Sequence, residues 1–584
     1  MGLVQAAIAP ASICNAIPGR VARKRRCDAG FALGCRWHGE RWSATIRSFV
    51  TTPMPRHHAR RALPPAPAFP HLPAMRSIPA PSAPQSIDPH PPRAARKLRR
   101  PRILIVTPEL NGSGFLARNG RSAPRAKAGG LADVATLLVD ELAARSIDVR
   151  VAMPHYRNLF AAPEVGHSRR LHLCRDREFF YRRSVYEGGT EANRRAALAF
   201  QRDVIHHVLP QVRPDLIHCH DWMTALIPAA ARQLGIPCLF TLHNLHNEHC
   251  TLAEIEDRGI DAAAFWQELH YDRFPQDYEH SRQSNTVNWM ASAIHASSRI
   301  NTVSPTFLSE LLEGRHPAAW DLGDVLHGKA RHQAAEGILN GLDPSYRPAV
   351  DPCIARRYDS GDHATAKRWN KLALQASLGL EQDADAPMLF WPSRLDPVQK
   401  GCHLLADILY RLVSDYWGLG LQVVFVADGP FQPHFDHIAG FHGLRHRIAV
   451  RPFQETLSRQ AYAASDYTLV PSAYEPCGLA QMVALSYGSL PVVHRTGGLA
   501  DTVTHLDAAA RSGNGFVFDH HDCRGLRWAI DEAIRFHILP DRIRHREIGR
   551  IMEESIVRFS PRATTDSYLR IYSELTGRPI AAAG

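Results

Sequence analysis

The sequence predicts an α/β protein of two doubly wound parallel-sheet domains. Three observations carry that expectation. Short continuous apolar runs, as at 103–107, 237–242, 388–392 and 421–427, suit strands buried on both faces of a parallel sheet. These runs alternate with segments of helical period over two successive blocks of roughly 200 residues each. Polar and charged residues cluster just past the strand ends, where such sheets bind ligands.

The first block opens at Arg102. The strand at 103–107 leads through a loop rich in Gly, Ser and Arg to Lys127-Ala128-Gly129-Gly130. Leu131, Val134, Ala135, Leu138, Val139 and Leu142 then keep helical spacing. The two glycines allow close backbone approach to a ligand. Strands follow at 149–153, 215–220 and 237–242, with a helix over about 222–234, while 197–209 has no clear pattern. Residues 245–285 are polar and aromatic with weak periodicity and read as a flexible lid or loop. A helix over 286–297, a strand over 300–305 and a strand plus turn over 337–343 complete the block. Pro344, Pro348 and Pro352 then mark a domain boundary.

The second block repeats the rhythm. A strand at 388–392 is followed by a turn carrying Arg394 and Lys400 and by a helix to about Val413. Strands at 421–427, 447–451, 466–470 and 490–494 have helices between them. The strand at 466–470 runs into Ser472-Ala473-Tyr474-Glu475-Pro476-Cys477-Gly478-Leu479. Glu475 is the only full charge in that strand-to-helix turn, and such turns aim backbone N–H groups at a bound anion. A second glycine pair, Gly497-Gly498, opens another helix, and 523–537 and 564–576 read as helical. The expected domains are 102–345 and 346–560. Residues 561–584 form a terminal helix, and whether it packs back on the first domain is left open.

Charge is uneven along the chain. The formal net charge is +12, but residues 1–102 hold 18 of the 69 Lys and Arg against 3 of the 57 Asp and Glu. The basic excess therefore belongs to the leading segment, which argues against nucleic-acid binding by the folded body. From Pro53 to Pro101 there are 14 prolines and almost no apolar periodicity, so 1–101 is expected to be a disordered extension. Its composition leaves three readings open: a solvated or mis-started extension, with Met54 or Met75 as the true start; an organelle-targeting peptide; and a polyanion-binding tail. No run of 18 apolar residues suggests a membrane span. The 11 cysteines form no CxxC pair, which fits free thiols in a reducing compartment.

Nine segments, in order, resemble bacterial glycogen synthases and plant starch synthases, retaining glycosyltransferases of family 5. They are Lys127-Ala128-Gly129-Gly130-Leu131-Ala132-Asp133-Val134, His220-Asp221-Trp222, Leu242-His243-Asn244, Thr302-Val303-Ser304-Pro305, Gly337-Ile338-Leu339-Asn340-Gly341, Ser393-Arg394-Leu395, Gln399-Lys400-Gly401, Glu475-Pro476-Cys477-Gly478-Leu479 and Arg495-Thr496-Gly497-Gly498-Leu499-Ala500-Asp501. The resemblance implies a GT-B fold, two Rossmann-like domains facing across a cleft. It implies transfer of glucose from ADP-glucose to the non-reducing 4-OH of an α-1,4-glucan such as glycogen or a maltooligosaccharide, with retention. It implies no metal and no cofactor, and no His, Cys and Asp residues show metal-ligand spacing. A cytoplasmic bacterial protein is implied, or a plastid one if the extension is a transit peptide. Oligomeric state has no signal in the sequence.

The same resemblance assigns roles. Arg394 and Lys400 stabilise the charge that develops on the leaving diphosphate. Glu475 contacts the glucose and its oxocarbenium-like state, while His243 and Asp221 face the sugar from the other domain. Lys127, Gly129, Gly130, Asn340, Cys477, Gly478, Leu479, Gly497 and Gly498 are the expected binding residues. Backbone N–H groups near Gly498 and Leu499 are expected to hold the diphosphate at a helix start. Each has a plainer reading on its own: solvated cations, a structural histidine, an N-cap aspartate at Asp221 and a merely packed thiol at Cys477. For retention, front-face attack assisted by the leaving phosphate is implied.

The chain also departs from the family pattern. The interval from Glu109 to Lys127 is long, Asp396-Pro397-Val398 adds one residue before Lys400, and Leu245-His246-Asn247-Glu248 stands where a Tyr-Gln-Gly is usual. The hinge after Asn340-Gly341 is short, and Ala480 replaces a usual Thr or Ser. These changes touch the acceptor side more than the phosphate side. Two rival readings exist. A family 4-like transferase usually has a second Glu where Val483 stands. An idle glucan-binding paralogue sits poorly with Lys127, Arg394, Lys400 and Glu475 all present.

Overall fold

The computed structural model describes residues 100–117, 124–160, 169–187 and 189–580. The expected disordered extension lies, but for its last two residues, outside them. The described chain forms two parallel sheets. The first contains β1 (Arg102–Val106), β2 (Asp148–Pro154), β3 (Leu171–Cys174), β4 (Leu216–His220), β5 (Cys238–Leu242), β6 (Arg299–Thr302) and β7 (Ala335–Gly337), in the spatial order 7-6-5-4-1-2-3. The second contains β8 (Met388–Trp391), β9 (Gln422–Val426), β10 (Ile448–Arg451), β11 (Tyr467–Val470), β12 (Leu490–His494) and β13 (Phe516–Phe518), in the order 10-9-8-11-12-13. Every pairing within both sheets is parallel. Each sheet is thus doubly wound, and its strand order reverses once, between β1 and β4 and between β8 and β11. Ligands bind at the carboxyl ends beside such a reversal.

Burial explains the apolar runs. Ile103, Leu104, Ile105 and Val106 are fully buried, as are Leu389, Phe390 and Trp391, because helices cover both faces. Helix α1 (Gly130–Ala144) buries Leu131, Val134, Leu138 and Leu142 against the first sheet, in the expected register. Four further helices bear on the site: α2 (Pro305–Leu312), α3 (Ala480–Ser486), α4 (Gly497–Thr502) and α5 (Pro561–Thr576).

Several elements differ from their sequence patterns. Residues 245–285 do not form a loose lid. His249–Thr251 pairs antiparallel with Thr286–Asn288, and Cys250, Leu252, Ile255, Ile260, Phe265 and Leu269 join the first core. Polar residues there are spent on caps, which hides the period: Thr251 and Glu254 make a capping box, and Asp277 accepts from His280 N. The helix expected over 286–297 begins only at Trp289, after the strand. The helix expected over 222–234 is a short 3₁₀ turn followed by Ile227–Gln233. The unclear stretch at 197–209 is helical, with a π-helical turn over Val204–Val208.

The chain leaves the first sheet near Ile338 and returns near Phe559. Leu342 N donates to Phe559 O at 2.8 Å and Thr564 Oγ1 to Leu339 O at 2.8 Å, so the two crossings brace each other. After the return, α5 inserts Tyr568, Ile571 and Tyr572 into the first core. Its hydroxyls feed a buried polar chain. Tyr572 OH bonds His218 Nδ1 (2.7 Å), His218 Nε2 bonds Thr241 Oγ1 (2.6 Å), and Thr241 Oγ1 donates to Asn301 Oδ1 (2.6 Å). Fully satisfied, such a chain fixes the helix in place; broken, it leaves buried polar atoms exposed to their full desolvation penalty.

Tyr572→Phe is therefore expected to destabilise the first domain by about 1–3 kcal/mol, since His218 Nδ1 loses its partner in a dry site. The shift in the urea unfolding midpoint measures it.

Candidate active site

The strand ends at both reversals open on one cleft. From the first sheet come Glu109 after β1, Asp221 after β4 and His243 after β5. From the second come Arg394 after β8 and Glu475 after β11. The cleft has two lobes, of about 720 Å³ and about 940 Å³, which share Ala128, Gly129, Gly130, Arg394 and Leu479. At their junction the two glycine-bearing loops touch: a Cβ on Gly130 would lie 2.9 Å from Leu479 Cδ1. Gly129 is the N-cap of α1, and the space where its Cβ would stand is open.

Glu475 is held by its own turn and by the neighbouring one. Lys400 Nζ donates to Glu475 Oε2 at 2.5 Å, and Ser472 Oγ donates to the same oxygen at 2.9 Å. Both partners come from strand-end turns of the second sheet, so the carboxylate is fixed and almost entirely buried. Pro476 and Gly478, at φ +73°, then steer the chain into α3. Cys477 is buried, which pushes its thiol up to about 12, so it stays protonated and packs. Asn340 reaches the cleft from the first crossing, with its Oδ1 buried and unpartnered among the described residues.

The expected diphosphate contact near Gly498 and Leu499 needs correction. Gly497 and Gly498 are buried and are not among the residues lining either lobe. Gly498 N donates to Glu475 O (3.0 Å), Gly497 N to Glu310 Oε1 (2.9 Å), and Leu499 N to Thr496 O (3.0 Å). The positive end of α4 is already occupied by the Glu310 carboxylate. The glycines act by absence of bulk: a Cβ on Gly497 would sit 2.0 Å from Glu475 O, and one on Gly498 2.0 Å from Cys477 O. They let α4 press directly under the Glu475 turn.

The first domain's wall carries a strained aspartate. Asp221 has φ +65° and ψ 178°, a region essentially reserved for glycine. Its backbone is held from both sides, by Asp221 N donating to Thr241 O and by Thr224 N and Oγ1 donating to Asp221 O. Asn244 Nδ2 donates to Asp221 Oδ2 at 2.5 Å, while Oδ1 is buried without a partner among the described residues. Burial raises its pKa to about 8. Burial likewise lowers that of His243 to about 3, so the imidazole is neutral; His220 Nδ1 meets its Nε2 at 2.9 Å.

Lys127 lines the larger lobe and pairs with Asp133 at 2.8 Å. Burial opposes its charge, but the Asp133 carboxylate holds the ammonium above its ordinary range. Arg394 is different. Among the described residues its guanidinium makes no hydrogen bond or ion pair with the protein, and it lines both lobes.

Three cleft residues had no clear signal in the sequence. Glu109 accepts from Ala128 N (2.7 Å) and Gly129 N (3.0 Å), and Tyr186 OH donates to it at 2.9 Å. Burial nonetheless holds its pKa above the usual carboxylate range. Phe453, 52% exposed, presents a ring in the larger lobe beside Asp428, whose Oδ1 accepts from Phe453 N. Glu109 follows a recognisable strand, but Tyr186 and Phe453 lie in turns without periodicity. No group of three or more His, Cys, Asp or Glu side chains with metal-holding geometry occurs among the described residues, and none of their helices is long and apolar enough to cross a membrane.

Residues 102–328 match the family described as starch synthase catalytic domain, and residues 386–535 match glycosyl transferases group 1. A glycogen synthase of Geobacillus stearothermophilus is 31% identical over 492 residues, covering 78% of this chain and 96% of that protein. Glycogen synthase 2 of Geobacter metallireducens is 34% identical over 454 residues, covering 70% and 89%. The catalytic domain of starch synthase IV from Arabidopsis thaliana, solved bound to ADP and acarbose, superposes with a TM-score of 0.68 at 28% identity, covering 82% of this chain and all of that one.

Two outcomes follow from the geometry. Gly498→Ala is expected to lower turnover by about 100-fold with the fold retained, because the turn must shift by an ångström or so. Asp221 is expected to make stability fall with pH. The folded chain keeps this proton between its ordinary 3.8 and about 8, where the unfolded chain has lost it. The contribution is complete below the lower value and gone above the upper one. Urea midpoints measured from pH 5 to 8 should fall more for the wild type than for Asp221→Asn.

Proposed function

Because this chain belongs to the glycogen and starch synthase family of glycosyltransferases, we propose that it moves glucose from ADP-glucose to the non-reducing 4-OH of an α-1,4-glucan, with retention at the anomeric carbon. The position of Arg394 carries this reading. It is a guanidinium without a protein partner among the described residues, shared by both lobes of the cleft. A dianionic leaving group bridging the lobes is what such a cation suits. Lys400 stands beside it, and its bond to Glu475 keeps the ammonium and the carboxylate at fixed spacing.

The larger lobe suits the nucleotide. The exposed ring of Phe453 offers a stacking face for the base. Val483 gives that lobe an apolar wall where the nearest rival family has a carboxylate. The smaller lobe suits the sugar and the acceptor end. Glu475 supplies negative charge against the positive charge that builds on the anomeric carbon. Neutral His243 and protonated Asp221 offer hydrogen bonds to sugar hydroxyls without adding charge. As the bond from the anomeric carbon to the diphosphate breaks, ADP departs toward Arg394 and Lys400. The acceptor hydroxyl bonds the same face of that carbon, and its proton passes to the departing phosphate oxygen. Lys400 and Ser472 both bond Oε2 of Glu475 and hold the carboxylate in place, and the role proposed for it is electrostatic, with no covalent intermediate.

The test is a panel of ADP-, UDP- and GDP-glucose against glycogen, scored by nucleoside diphosphate release. ADP-glucose is expected to support turnover; background release from it together with turnover on another donor would sink the donor assignment. Arg394→Ala and Glu475→Gln are each expected to lower kcat by about 100- to 1,000-fold. Phe453→Ala is expected to raise the donor KM by about tenfold with kcat little changed, as loss of a stacking face predicts.

A further inference from the structure

At the opposite end of the first sheet from the cleft lies another cavity, of about 680 Å³, within the range of small-molecule sites. The amino ends of three strands wall it. Arg102 begins β1, Arg150 is third in β2, and Arg169 stands two residues before β3, whose His172 also lines the wall. The far wall is the helical stretch after Asp203, through His207 and Gln211.

Two of the guanidiniums are held side by side. Asp148 accepts from Arg102 Nε (3.0 Å) and from Arg150 Nε (2.8 Å). Arg102 Nη1 donates to Val212 O and Arg150 Nη1 to Arg169 O, each at 2.5 Å. Each guanidinium is thus clamped at Nε and Nη1, and among the described residues its Nη2 is left without a partner. One carboxylate serves two arginines, so positive charge is in excess. The lining carboxylate, Asp203, is itself engaged by His207 at 3.7 Å and by the Cys174 thiol.

The helix wall adds an independent observation. Val204–Val208 is π-helical, between Gly189–Asp203 and Leu209–Val212. Such turns are rare and fall mostly at functional sites. This one brings His207 and Val208 onto the cavity wall. Opposite it, the His172 ring is hydrogen-bonded to the Gln211 side chain, and its Nε2 is buried without a close partner of its own among the described residues.

We propose that this cavity binds a small phosphorylated metabolite at a site separate from the catalytic cleft. Clamped guanidiniums with an unspent edge match phosphate oxygens geometrically, and they have already lost the side-chain freedom that binding would otherwise cost. His207, Gln211 and His172 supply hydrogen-bonding groups for the sugar or polyol that carries the phosphate. None of these residues lines either lobe of the cleft, so the proposal stands apart from the glucosyl-transfer reading.

Calorimetric titration of the whole chain with ribose 5-phosphate tests it, with ribose as the uncharged control. Saturable binding is expected for the phosphate and none for ribose. Arg150→Gln and Arg169→Ala should each weaken it at least tenfold, and Arg394→Ala, in the cleft, should leave it unchanged. Arg169 is in an exposed turn, so its variant keeps the test valid if Arg150→Gln fails to fold. No saturable binding, equal binding of ribose, or loss in Arg394→Ala with Arg169→Ala unaffected would overturn the proposal.

Discussion

Two short helices, one from each domain, cap each other at the back of the cleft. Asp501 of α4 accepts from Ser304 Oγ (2.5 Å), Thr306 N (3.0 Å) and Thr306 Oγ1 (2.6 Å) at the start of α2. Glu310 of α2 accepts from Gly497 N (2.9 Å) and Thr496 Oγ1 (3.1 Å) at the start of α4, with His316 on its other oxygen at 2.9 Å. Each acid meets the orphan N–H groups and positive end of the other domain's helix. Burial opposes Glu310's charge, but His316 and these donors hold its pKa below the usual carboxylate range. The arrangement matters because α4 also carries the Glu475 turn. The same end that receives Glu310 donates Gly498 N–H to Glu475 O, so one contact ties the packing of the two domains to the position of the Glu475 turn. Glu310's contribution is greatest where it is ionised and is lost as pH falls through its folded value, which lies below the ordinary one.

From that contact the cleft follows with little further specification. Both sheets reverse their strand order once, and both reversals face the same gap. Loops leaving the strand ends then bring Asp221, His243, Arg394 and Glu475 together from positions hundreds of residues apart in sequence. Charge is distributed with a clear division. Lys127 and Lys400 are paired with Asp133 and Glu475 within the protein, while Arg394 has no protein partner among the described residues. Burial keeps Asp221 and His243 on the first domain's wall uncharged.

Much of this was legible in the sequence, for identifiable reasons. Strands buried on both faces leave continuous apolar runs, so β1, β5, β8 and β9 were readable at once. Motif residues at their ends were readable with them. Two edge strands were not: β3 and β13 have four and three residues and no flanking motif to mark them. The stretch 245–285 hid its order because caps and hairpin pairing, not periodicity, organise it. Gly497-Gly498 was visible as a glycine pair, but its reason was not. Only the structure reveals that Glu310 already fills the helix end and that the glycines make room for Glu475 and Cys477. Glu109, Tyr186 and Phe453 depend on contacts between distant loops, which no local spacing encodes.

The central claim is that this cleft forms an α-1,4 bond from ADP-glucose on the face the diphosphate leaves. Proton and carbon NMR of a maltooligosaccharide extended by one isotope-labelled glucosyl unit measures that directly. The account predicts a single new α-anomeric signal, linked to O4 of the former non-reducing end. A β-anomeric signal, or a linkage to any other hydroxyl, would contradict it.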